Sequence, residues 1–140
     1  MVEFALSIMI FFFVVLWLFE LILMMYTYNV MADAAKEGVR YATVHGSYNS
    51  SPSGPSSGSS VCYTTSSQGT ATAVFTQIQQ FANLSLHDIT GMTANVCYLD
   101  GSNKPPNRVQ VKVSYPLVPY FALPWTPPTI NAVAQGNIVN

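Results

Sequence analysis

Charge is what this 140-residue chain has least of: five Lys and Arg, six Asp and Glu and two His give a formal net charge of −1. The basic residues, Lys36, Arg40, Lys104, Arg108 and Lys112, form no stripe that would track a phosphate backbone, which argues against a nucleic-acid partner. Catalytic signatures are missing too. The chain has no glycine-rich phosphate loop, no HExxH and no nucleophile elbow. His45 and His87 stand alone and read as surface or capping residues, while Asp88 and Asp100 have no partner evident in sequence. An enzyme with so few ionisable groups is not expected, and neither is a cofactor. Cysteine is nearly absent as well. Cys62 and Cys97, the only two, fit no zinc or CxxC spacing. They read as one disulfide, which implies an oxidising compartment and stabilises a small head by about 3–4 kcal/mol in the chain-entropy model.

What the chain does have is one long apolar run, residues 4–28, hydrophobic on every side. At ~1.5 Å rise per residue it is long enough to cross a bilayer core of about 30 Å, and a helix there satisfies its own backbone hydrogen bonds. Glu20 is its only ionisable residue, with Glu3 just ahead of it. A carboxylate in hydrocarbon costs at least a few kcal/mol, about 3 on insertion scales, and is usually partnered. Glu20 therefore calls for a cation from another chain, a protonated state or a water-lined niche. Glu3 reads as a boundary residue whose nearest cation is the α-amine of Met1, its own or another copy's. A plain membrane anchor fits the run equally well.

The helix is expected to continue through residues 29–44, where Asp33, Lys36, Glu37 and Arg40 recur on one face and Met31, Ala35, Val39 and Ala42 on the other. His45-Gly46 supplies a stop. The result is a helix of about 40 residues, roughly 60–65 Å long, whose second half offers an apolar face to a head. Lys36 and Arg40 follow the apolar run, and the positive-inside rule would keep that side cytoplasmic, against the cysteines and the Ser/Thr-rich remainder. A basic leader removed from in front of Met1 resolves the conflict; an ordinary start at Met1 leaves it standing.

Residues 47–60, dense in Ser, Gly and Pro, read as an exposed loop. Asn49-Ser50-Ser51 and Asn83-Leu84-Ser85 match the N-glycosylation acceptor pattern. Residues 70–86 carry Val74, Ile78, Phe81 and Ala82 at helical spacing. Strands are expected over 93–99, over 108–115, where Val109, Val111, Val113 and Tyr115 alternate with Arg108, Gln110, Lys112 and Ser114, and over 129–139; turn residues at 100–107 join the first two. The proline-rich segment 116–128 holds Leu117, Tyr120, Phe121, Leu123 and Trp125. It either wraps back over the long helix or forms a contact surface for a neighbour. The expected fold is α+β: a helix over 1–45, an exposed loop over 46–68, and a head over 69–140 made of one amphipathic helix and an antiparallel sheet.

Val2-Glu3-Phe4-Ala5-Leu6, then Trp17-Leu18-Phe19-Glu20, then Asn29 and Ala32-Asp33-Ala34-Ala35-Lys36-Glu37-Gly38-Val39-Arg40-Tyr41-Ala42 together resemble the TadE-like pilins, within the broader type IV pilin group. The likeness covers about the first 45 residues, and the strand ending in Tyr115-Pro116 is similar to that family's head. The resemblance implies a leader cut by a prepilin peptidase, retention in the membrane, and handling by inner-membrane pilus assembly machinery. It further implies polymerisation with copies of itself into an extracellular filament for attachment or motility. A carboxylate near the processed N-terminus would pair with the α-amine of a neighbour. That carboxylate is the fifth residue in the group; here Glu3 stands nearest, with Glu20 the second candidate and Met1 the donor of the amine. From a different class comes the alternative of a single-pass, membrane-anchored binding protein that does not polymerise.

Overall fold

A single helix, α1 (Val2–Val44), runs through the first third of the chain in the computed structural model, which describes residues 2–119 and 128–140. It contains no proline, its second half is rich in the good helix formers Ala, Met, Lys, Glu and Arg, and its one interior glycine, Gly38, has a packing reason given below. Strand β1 (Val61–Thr64) and a short 3₁₀ turn (Gly69–Ala71) lead into α2 (Thr72–Ser85). Then come β2 (Thr93–Tyr98), β3 (Arg108–Pro116) and β4 (Thr129–Asn137). The four strands form one antiparallel sheet in the order β1-β2-β3-β4, so the architecture is α+β.

Alternation decides which face of the sheet is covered. Ala94, Val96 and Tyr98 of β2, Val109, Val111, Val113 and Tyr115 of β3, and Ile130 and Ala132 of β4 all point inward and are buried. The residues between them, among them Lys112 and Val133, face solvent. Over the buried face lie the C-terminal half of α1, through Met31, Ala34, Ala35 and Ala42, and α2, through Val74, Phe75, Ile78 and Ala82. Phe75 is buried where helical spacing favoured Phe81, which is only half covered. Gly38 packs tightly against α2: a Cβ there would lie 2.6 Å from Cγ1 of Ile78. Only the smallest residue permits that approach, which explains a glycine in mid-helix despite its penalty of about 1 kcal/mol.

The end of α1 is tied down from several directions. The amide of His45 donates to the Tyr41 carbonyl at 3.0 Å, the amide of Val139 to the Thr43 carbonyl at 3.0 Å, and Nδ2 of Asn49 to the Val44 carbonyl at 3.1 Å. These groups satisfy helix-end carbonyls that have no partner within the helix. The His45 ring stacks on Tyr41 with centroids 3.9 Å apart, in the capping place expected of it.

Two expectations need correction. The Ser/Gly-rich stretch is not exposed throughout. Ser53 and Pro55 are buried, because the Ser53 amide and hydroxyl both donate to the His45 carbonyl, at 2.7 and 3.1 Å. The buried Asn103 side chain in turn donates to the Ser53 carbonyl at 3.0 Å. Backbone hydrogen bonding fixes this segment where apolar burial alone would not. Further along, residues 61–64 are strand, not loop, paired in register with β2 through Cys62↔Cys97. Of the proline-rich segment, Leu117 is buried and its amide donates to the Pro128 carbonyl at 3.2 Å, so the two ends of the excursion lie side by side. The two readings of Tyr120, Phe121, Leu123 and Trp125 fall outside the described residues.

Candidate functional site

Along the shaft, residues 2–19 carry Phe4, Leu6, Ile10, Phe11, Phe12, Phe13, Trp17 and Phe19, all exposed. Eighteen residues rise about 27 Å, close to a hydrocarbon core of about 30 Å. By length and composition this helix is able to cross a membrane. So large an uncovered apolar surface is uncommon on a protein surrounded by water and marks a contact with lipid or protein.

Burial starts at Glu20, not at residue 29 as the sequence suggested. Glu20 is only 7% exposed. Together with Met24, Thr27, Met31, Ala35, Gly38 and Ala42 it forms one continuous stripe with steps of three and four residues, and each of these positions is buried or partly buried. The polarity of Glu20 thus belongs to the face that meets the head. The all-round hydrophobicity of residues 4–28 conceals this stripe in the sequence. Its lower end is locked from across the fold: the Tyr26 hydroxyl donates to the Ser85 carbonyl at 2.9 Å, and Thr27 Oγ1 donates back to the Leu23 carbonyl at 2.8 Å.

Beside Glu20 lies a cavity of about 300 Å³ between α1, the end of α2 and the start of the proline-rich segment. Leu23, Leu86, Leu117 and Val118 give it apolar walls, and Tyr26, Ser85, His87, Asp88 and Tyr115 give it polar ones. Oε2 of Glu20 is buried with no hydrogen-bond partner. The Tyr115 hydroxyl donates to the Asp88 carbonyl at 3.0 Å. The Asp88 carboxylate accepts from the Thr90 amide at 2.7 Å. The hydrogen bonds from Thr90 hold the Asp88 carboxyl below its ordinary range. None of the residues lining this cavity is a Lys or Arg.

Of the residues singled out in the sequence, Cys62 and Cys97 are joined in a disulfide, facing each other across β1 and β2 with Cα atoms 4.0 Å apart. Glu3 and Glu20 are not brought together: seventeen residues of one helix separate them, a rise of about 25 Å. Glu3 is exposed on the first turn, its carbonyl accepting from Ser7 Oγ at 2.9 Å. Met1 lies outside the described residues. Asn49 uses its Nδ2, the atom a glycan would occupy, to cap α1, and its Oδ1 accepts from the Ser51 amide at 2.9 Å. Asn83 is exposed. Sequence reasoning missed the cavity residues Tyr26, Ser85, His87, Asp88 and Tyr115, since only tertiary folding joins them. The one available signal was the three-and-four spacing from Glu20 to Met31.

Among the described residues no group of three or more His, Cys, Asp or Glu is arranged to hold a metal ion. No curated protein and no solved structure matches the chain. An apolar N-terminal helix of this kind fits a pilin-like component of a Tad system. Residues 1–40 match the family model described as TadE-like protein, and the match falls on the shaft and the first turns under the head.

Proposed function

We propose that this chain is a structural subunit that polymerises through α1 into an extracellular, Tad-type filament used in attachment or motility, after a stage in which α1 is inserted in the membrane. The carrying observation is the exposed apolar shaft over residues 2–19, contiguous with a head that buries its own core. The family match on the same residues supports this reading. Bundling many shafts replaces lipid contacts by helix contacts while the polar heads stay in water, and head-to-tail contacts that do not close give a helical filament. Near the end of the shaft, Glu3 takes the α-amine of Met1 from a neighbour. The membrane and assembly machinery handle the chain before it leaves.

Replacing Phe12 by a photoreactive phenylalanine analogue tests the bundle directly. Irradiated cells are expected to give a ladder of multimers linked through the shaft. Monomers alone would favour the second reading, a single-pass anchored binding protein, for which the same exposed helix would face only lipid. Glu3→Ala is expected to remain in the membrane fraction and to lose the ladder.

A further inference from the structure

The cavity beside Glu20 asks for a ligand. A carboxylate oxygen buried without a hydrogen-bond donor is strongly unfavourable unless something pairs with it. A volume of about 300 Å³ far exceeds the ~10–15 Å³ of probe-occupied space that one water needs. The acidic groups, the helix end and the aromatic rings among the described lining residues select the same sign. Glu20 and Asp88 are carboxylates, and the Asp88 carboxyl stays ionised at neutral pH. α2 ends at Ser85, bringing the negative end of a 14-residue helix to the wall. Tyr26 and Tyr115 add aromatic surface, which cations favour. Among the described lining residues the exposed His87 is the one able to carry positive charge, and no ion pair joins it to Glu20.

We propose that this niche is a binding site for one primary ammonium group, with Glu20 as its counter-charge. The orphaned Oε2 needs a hydrogen-bond donor, and among cations a primary ammonium supplies one where a quaternary one does not. The position favours a membrane source. This step rests on the reading of the shaft as membrane-inserted. If residues 2–19 fill the hydrocarbon, about 27 Å, Glu20 stands at the level of the lipid headgroups on the head side. An ethanolamine headgroup there presents its ammonium to the cavity mouth. The same chemistry is offered by the N-terminal amine of a second copy.

The test uses the full chain in phosphatidylcholine nanodiscs, one copy per disc, with and without phosphatidylethanolamine, followed by NMR of the Glu20 side-chain carboxyl and of the His87 and Tyr26 resonances. The expected result is a saturable shift of all three with phosphatidylethanolamine and none with phosphatidylcholine alone. Glu20→Gln, which keeps the side-chain shape, should weaken the response at least tenfold while the sheet amides stay unchanged. Shifts that occur only in assembled multimers and vanish when the N-terminus is acetylated would give the site to a neighbour's amine and overturn the lipid assignment. No response to either amine, with the carboxyl carbon reporting a neutral acid at pH 7, overturns the proposal. Because the discs hold single copies, filament formation plays no part in the lipid arm, and a chain that never polymerises still passes or fails it.

Discussion

Tyr26 and Ser85 lie 59 positions apart in sequence, yet the Tyr26 hydroxyl donates to the Ser85 carbonyl at 2.9 Å. The bond fastens the end of α2 to α1 on the head side of Glu20, where burial begins, and both residues line the Glu20 cavity.

Tyr26→Phe removes that bond and leaves the ring. A net loss of about 1 kcal/mol is expected, a fall in Tm of a few degrees for a head of this size. Hydrogen exchange should accelerate around Leu86 and His87 before it does in β3, because the contact anchors the end of α2 and not the sheet. Thermal melts and exchange in detergent check both parts.

The close packing at Gly38 predicts a paired result. Gly38→Val places its Cβ 2.6 Å from Cγ1 and 2.8 Å from Cδ1 of Ile78, and overpacking of that kind costs about 1–3 kcal/mol. In an Ile78→Ala background the clashing atoms are gone, so the added penalty of Gly38→Val should shrink to under about 1 kcal/mol. Denaturant unfolding of the four proteins measures the coupling. Equal penalties in both backgrounds would contradict the contact.

Replacing both Cys62 and Cys97 by Ser opens a crosslink that spans 35 positions. The expected loss is about 3–4 kcal/mol in the chain-entropy model, with fraying concentrated in β1, a four-residue strand at the sheet edge with β2 as its neighbour. Non-reducing mass spectrometry of the native chain should recover the two cysteines in one linked peptide.

Asp100 and Tyr98 contribute to the acid and alkaline limits of the head. Asp100 accepts from Arg108 Nη2 at 2.8 Å, from Nε at 3.0 Å and from the Arg108 amide at 2.9 Å. The side-chain hydrogen bonds from Arg108 hold its carboxyl down at about 2. A depressed carboxyl contributes stability above its unfolded value, near 4, and loses it as pH falls toward 2; Asp100→Asn should flatten that acid limb. Tyr98 behaves in the opposite sense. Burial pushes its phenol up to about 12, against a small opposing effect of the Ser53 hydroxyl, which donates to the His45 carbonyl and leaves the Tyr98 hydroxyl without a well-formed bond. Its stabilisation is complete below pH 10 and is lost as pH rises toward 12. About two pH units at 1.36 kcal/mol each give ~2–3 kcal/mol. Tyr98→Phe should remove the alkaline limb without loss at pH 7. Chemical denaturation from pH 2 to 12 reads both limbs.

Much of this fold is legible in sequence because each signal is local. The alternation of Val109, Val111, Val113 and Tyr115 identifies β3 and its buried face, and the three-and-four pattern of Met31, Ala35, Val39 and Ala42 identifies the part of α1 under the head. Strand β1 was missed because Val61–Thr64 is only four residues long and becomes strand through pairing with β2 and the Cys62–Cys97 link. Ser53 was missed because backbone and side-chain hydrogen bonds bury it. The Glu20 cavity was missed for a third reason. A carboxylate inside an apolar run signals a partner, but Ser85, His87, Asp88 and Tyr115 reach it only through the packing of α2 and β3.

Electron microscopy of the sheared surface fraction, with mass spectrometry of the same sample, tests the central claim most directly. The proposed function predicts regular filaments that contain this chain, linked through residues 2–19. A surface fraction without filaments, and the chain wholly retained in the membrane, would contradict it.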